Sequence, residues 1–174
     1  WGIDRLPARI YRQRDRQATF STNWFPYTRQ WSRLEADLLH LHWIGFNYLP
    51  ISSWARLRQP VVWTLHDSWA FTGGCHIPHD CRRYEDACGK CPILHSEREH
   101  DLSRWNWKAK AHALPKMHPI IVAPSVWLSD CARRSSLLGG AEIHTIAHGL
   151  DLDIFHPMDR AVARAALGVP LDRP

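Results

Sequence analysis

The chain has 174 residues, 45% of them apolar and 22% charged; this is about one domain by length and a globular mix, which excludes disordered, collagen-like and coiled-coil chains. No apolar run reaches the ~18 residues of a membrane span, and residues 1–22 lack the apolar core of a signal peptide. The formal charge of +5 is N-terminal, because residues 1–33 hold seven Arg and two Asp while residues 34–174 hold 15 basic and 15 acidic side chains.

Trp1 stands where an initiator Met would, so residues upstream of it are expected. Ile3, Leu6 and Ile10 fall at near-helical spacing among Arg5, Arg9, Arg12, Arg14 and Arg16, which fits a solvated Arg-rich helix face or a segment resting on an anionic membrane surface. No aromatic interleaving or binding motif accompanies these Arg, so no nucleic-acid partner is expected. A strand is predicted over 37–44, ended by Gly45, then a helix over 51–58 that Ser52 or Ser53 can cap. The run 61–65 reads as a strand buried on both faces. Residues 66–101 form a long loop of Gly, Pro, Cys, His and charges with no apolar period, and loops of that length are functional or held by something. A helix over 102–114, a strand over 119–123, a Ser125-capped helix over 126–135, a strand over 142–146 and a helix over 159–167 ended by Gly168 complete the pattern.

This alternation predicts an α/β fold: a Rossmann-like parallel sheet with helices on both faces. The strand ends at Trp43, His66, Ser125 and His148 then lie along one edge, where open α/β sheets bind ligands. Ten Trp can fill a core, stack on sugars or sit at a membrane interface.

Four of the five Cys cluster: five residues separate Cys75 from Cys81, six separate Cys81 from Cys88, and two separate Cys88 from Cys91. Four thiolates in a loop without a core of its own suit one structural Zn²⁺, with His76 or His79 able to replace one Cys. Two disulfides, an iron–sulfur cluster or free thiols are the competing readings. Cys131 reads as a small buried apolar residue. His66-Asp67 follows the strongest strand; His66 there can donate to a polar ligand while Asp67 orients it or binds a hydroxyl, unless the pair merely ties loop to sheet. Gly73-Gly74 lets backbone approach something closely. His40 and His42 alternate on one strand and read as packing. With no P-loop, G-x-G-x-x-G, G-x-S-x-G or H-E-x-x-H, the kinase, dehydrogenase, serine hydrolase and zincin readings fall away.

The run from Thr64 through His66-Asp67-Ser68-Trp69 and Thr72-Gly73-Gly74-Cys75-His76 resembles bacterial family 4 glycosyltransferases of the GT-B fold, of the exopolysaccharide and colanic-acid type. The resemblance continues through Cys81, Tyr84, Cys88-Gly89-Lys90-Cys91-Pro92, Asp101-Leu102-Ser103, Ala123-Pro124-Ser125 with Trp127-Leu128, and His148-Gly149-Leu150-Asp151 with Phe155 and Pro157, covering about residues 36–170. It implies transfer of a sugar from a nucleotide-sugar donor to a lipid-linked or glycan acceptor with retention, in polysaccharide biosynthesis. It further implies cytoplasmic location with peripheral contact at the inner membrane face. By the resemblance, residues 1–35 are a basic segment of the acceptor-side domain, 36–148 its Rossmann-like body, and 149–174 the linker and the start of a donor-binding domain. The family's donor-binding Lys/Arg and paired Glu would belong to that second domain, so the chain is expected to be a fragment that is inactive alone. His66 is the expected catalytic residue, with Asp67, Gly73, Gly74, Ser125 and Gly149 binding substrate. His148 stands where the family usually has Asn, a residue that tolerates left-handed backbone better. The alternative reading is a non-catalytic, zinc-stabilised module that binds a glycan or lipid head group.

Overall fold

The computed structural model describes residues 6–25 and 34–172. Its sheet has four strands, β1 (Leu39–Leu41), β2 (Val61–Thr64), β3 (Ile120–Ala123) and β4 (Ile143–Thr145), all parallel and ordered β1-β2-β3-β4. The helices are α1 (Ile51–Trp54), α2 (Leu102–Met117), α3 (Val126–Arg134) and α4 (Arg160–Leu167). The expected Rossmann-like parallel α/β sheet is therefore observed, although helices were expected on both faces and, among the described residues, α1, α2 and α3 share one core cluster on one side.

Register decides which side chains share a face. Leu41, Trp63, Ile121 and Ile143 pair in one lateral row, and this side packs on Trp54 of α1, Leu114 and Met117 of α2, and Leu128 and Cys131 of α3 in one core cluster. Strands laid side by side in chain order and joined by same-handed crossovers bring every connecting helix to the same side. Val62, Ile120 and Val122 point the other way and stand outside that cluster. Trp54, Trp63 and Trp69 meet edge to face in the core, with centroids 5.3 and 5.9 Å apart. Their indole N–H groups donate to the carbonyls of Leu49, His42 and Ser21, so these Trp fill the core with their polar atoms satisfied.

Several element ends differ from expectation. Strand pairing covers Leu39–Leu41 rather than 37–44. Helix α1 is one turn, with Pro50 before it and no side-chain cap; the Ser53 hydroxyl instead donates back to the Pro50 carbonyl at 2.7 Å. Pro60 disfavours helical backbone at the preceding residue, which keeps a helix from reaching it. Helix α2 runs three residues past the expected end, through Pro115, whose missing N–H costs one bond in the last turn. Asp101 caps it by accepting from the Arg104 amide, Ser125 caps α3 by accepting from the Leu128 amide, and Asp159 with left-handed Gly168 brackets α4. At the N-terminus, Pro7–Ile10 forms only one 3-10 turn, with Leu6 and Ile10 exposed; Ile3 and Arg5 lie outside the described residues. Among the described residues no helix is long and apolar enough to cross a membrane.

The loop 66–101 departs most from expectation, because it has a core. Phe20 and Ala8 of the N-terminal segment pack with Cys75, Cys91, Ile93, Leu94 and Leu102. Phe20 bridges Cys75 in antiparallel fashion, the Ser21 amide donates to the Gly74 carbonyl at 2.9 Å and the His76 amide to the Thr19 carbonyl at 3.2 Å. Segment 19–23 thus runs as a polar-backbone spine beneath the loop.

Candidate active site

Chain leaving β2 reaches the C-terminal edge at His66-Asp67, and β1 delivers His42 and Trp43 beside it. His42 Nδ1 lies 2.9 Å from His66 Nε2. After β4, His148 stacks on His66 with centroids 5.3 Å apart and planes 12° from parallel. Three exposed imidazoles therefore stand in a row on the edge. Burial, and then the neighbouring His42 and His148, lower the pKa of His66 against the opposing pull of Asp67. His66 is thereby biased to the neutral form near pH 7, with Nε2 engaged by His42 and Nδ1 left to meet a hydroxyl.

Behind this row lies a saturated network. The half-buried Asp67 carboxylate accepts from the Trp69 amide at 2.8 Å, the Trp43 indole N–H at 3.0 Å and His76 Nδ1 at 2.6 Å. Burial pushes the Asp67 pKa up, but the hydrogen bonds and charge interaction with His76, then Trp69 and Trp43, outweigh it and hold the carboxyl below the usual carboxylate range. Nδ1–H of His76 serves Asp67, and its Nε2 lies 3.0 Å from the Ser21 hydroxyl oxygen. With its oxygens so occupied, Asp67 acts on its neighbours' orientation and is poorly placed to take a proton from a ligand.

His66 and Asp67 thus lie together on the predicted edge. Gly73 and Gly74 do not join them there: both are buried, a Cβ on Gly73 would meet the Ser103 carbonyl oxygen at 2.4 Å, and one on Gly74 the Phe20 ring at 2.6 Å. These glycines admit the protein's own backbone and rings where a cleft lining was expected. Ser125 is exposed at the same edge with its hydroxyl engaged in capping α3, and Gly149 is exposed in open space. The sequence reads His42 only as packing, places Trp43 on the edge without a role, and offers His76 only as a substitute metal ligand. The strand end at Trp43 could have flagged His42 beside it; no periodicity could have placed His76 against a residue nine positions away across an irregular loop.

All five Cys are free thiols. Among the described residues no three His, Cys, Asp or Glu side chains are arranged as a metal-holding group, and His76 serves Asp67 rather than the cysteines.

In comparison with known proteins, the chain is 28% identical over 133 residues to the colanic acid biosynthesis glycosyl transferase WcaC of Escherichia coli (strain K12), covering 66% of this chain and 31% of that protein. It is 58% identical over 33 residues, 19% of this chain and 8% of the other, to the D-inositol 3-phosphate glycosyltransferase of Mycolicibacterium paratuberculosis (strain ATCC BAA-968 / K-10). The chain thus spans less than a third of the length of either relative. No solved structure matches it. The model of Glycosyltransferase Family 4 matches residues 2–154, most of the sequence and all four strands, and on that ground the chain belongs to glycosyltransferase family 4.

Proposed function

We propose that the protein carrying this chain transfers a sugar from a nucleotide-sugar donor to a lipid-linked or glycan acceptor, with retention, in exopolysaccharide or cell-surface polysaccharide biosynthesis. Residues 36–148 form the acceptor-side body and 149–174 lead into the donor-binding part. The observation that carries this reading is the row His42–His66–His148 at the C-terminal edge of a parallel sheet, backed by the saturated Asp67 network. Neutral His66 holds a sugar hydroxyl through Nδ1, setting donor carbon and acceptor oxygen within reach. Asp67 keeps Trp43 and His76 in place. The positive groups that stabilise the leaving diphosphate come from the donor-binding part. The exposed Leu6 and Ile10 beside Arg9, Arg12, Arg14 and Arg16 suit peripheral contact with anionic lipid; co-sedimentation with anionic but not neutral vesicles checks that contact.

The test is His66→Ala in the full-length protein. Melting should stay at the wild-type value while kcat/KM falls ~10²-fold, about 2.7 kcal/mol of transition-state stabilisation. NMR of the product's anomeric centre reads retention directly. Wild-type turnover in a folded variant would remove His66 from the site, and glycan binding without any turnover would turn the assignment to a binding module.

A further inference from the structure

The loop's second cluster of chemistry-bearing side chains lies on the far side of Gly73 from the histidine edge. Cys75, Cys88 and Cys91 are buried, Cys81 is half-buried, and all four line one cavity of ≈ 20 Å³. That is room for about one water-sized occupant. Phe20, Pro78, Pro92 and Ile93 supply apolar wall beside Gly73, Gly89, Arg83 and Ser103.

The wall nonetheless carries a donor to sulfur. The Gly73 amide donates to Cys88 Sγ at 3.1 Å, while the Leu94 amide turns back onto the Cys91 carbonyl at 3.1 Å. Arg83 lines the same cavity and keeps a buried Nε–H that has no hydrogen-bond partner, the one such side-chain atom found among the described residues. Lys110 Nζ donates to the carbonyl of Thr72, next to Gly73, at 3.0 Å. Amide N–H groups and cations directed at sulfur favour thiolates over thiols. The tight pair is also pre-shaped. A Cβ on Gly89 would meet the Glu99 carbonyl oxygen at 2.4 Å, Lys90 is left-handed with its amide on the Arg98 carbonyl at 2.9 Å, and the Cys91 amide is held by Asp101 at 2.9 Å.

We propose that Cys75, Cys81, Cys88 and Cys91 close around one Zn²⁺ ion as a structural four-thiolate centre. No three of these side chains already stand at ligand spacing, so closure turns them inward about χ1 until each Zn–S distance reaches ≈ 2.3 Å. Four thiols release four protons to solvent and Zn²⁺ brings two positive charges, so the centre carries a net charge of about −2. Lys110, the Gly73 amide and the unpartnered Arg83 Nε–H stand ready to meet that charge. Because each ligand gives up a proton on binding, metal uptake should weaken as acid competes for the sulfurs.

Protein purified under reducing conditions without added metal is expected to hold about one Zn per chain by elemental analysis. After the metal is stripped, anaerobic Co²⁺ titration should give sulfur-to-cobalt charge-transfer absorption and tetrahedral ligand-field bands that saturate at one equivalent. Cys81→Ser, at the least buried ligand, should weaken Co²⁺ binding by ~10²-fold, whereas Cys131→Ser should leave it unchanged. Folded wild-type protein with under about 0.1 Zn per chain and no charge-transfer band would overturn the proposal. So would a mass four hydrogens lower in protein kept from reductant, the mark of two disulfides. Because the decisive titration uses the wild type, a cysteine variant that fails to fold leaves the proposal open to refutation.

Discussion

The histidine edge and the cysteine pocket sit on the same loop and use polar groups in opposite ways. At the edge an inner layer is fully paired, Asp67 with Trp43, Trp69 and His76, and His76 with Ser21, while the outer imidazoles face solvent. In the pocket the four cysteines line one small cavity whose surface is almost wholly apolar. A rigid, satisfied support beneath exposed hydrogen-bonding atoms suits a ligand that comes and goes. A buried cluster with donors and few acceptors suits an occupant that stays.

The strongest way to break this contrast is to remove what joins the two regions. Lys110, wholly buried, donates from Nζ to the Trp69 carbonyl on the edge side and to the Thr72 carbonyl, at 3.0 Å, on the pocket side, and sits 3.5 Å above the Trp69 ring. Lys110→Met leaves those carbonyls buried without this donor and is expected to cost about 2–4 kcal/mol in equilibrium denaturation. A loss under ~1 kcal/mol would mean that the two regions are held independently of Lys110.

Asp67→Asn should cost less, about 1.5–2 kcal/mol, since it exchanges charge-assisted hydrogen bonds for neutral ones on a half-buried group. Its pH dependence has a definite sign. The folded pKa of Asp67 is depressed, so its contribution is complete above the unfolded value of ~4 and is lost as pH falls through the folded one. The difference between wild type and Asn variant should therefore shrink from pH 7 towards pH ~3; a constant gap would place the effect in packing instead.

The smallest effect sharpens the outer layer. His148→Ala removes one of the charges that lower His66, so NMR titration should show the His66 pKa rising towards the ordinary ~6.5. For a base with a lowered folded pKa, stability is complete above the unfolded value and is lost as pH falls through the folded one. The variant should lose less than wild type across that window. An unmoved titration would mean that the stacking of His148 on His66 carries no electrostatic coupling.

Strands β2 and β3 were legible because β-branched runs mark buried parallel strands, and Ser125, Asp159 and Gly168 declared helix ends through side-chain and backbone chemistry local to each. His66 and Asp67 were legible because strand ends share an edge. What could not be read depends on contacts far apart in sequence. Leu6 and Ile10 have helical spacing, yet Pro7 opens only a 3-10 turn there. His76 gains its role from Asp67 and from Ser21, 55 residues upstream, and the loop's core needs Phe20 from the chain's other end. Gly73 and Gly74 signalled close approach correctly, but no local pattern says whether the approaching group is ligand or protein.

The spine at residues 19–23 bears on how this domain tolerates shortening. Its backbone groups hydrogen-bond to Gly74 and His76 on one side, and the Asn23 carbonyl accepts from the Ile51 amide at 3.0 Å on the other. The Asn23 side-chain amide meanwhile donates to Ile44 and Leu49 carbonyls. A deletion that trimmed 72–91 to a tight turn would strand those partners in the interior, each unpaired group costing about 1–3 kcal/mol. Length variation should therefore be accepted outside that stretch, and the irregular loop should resist excision as strongly as a strand of the sheet.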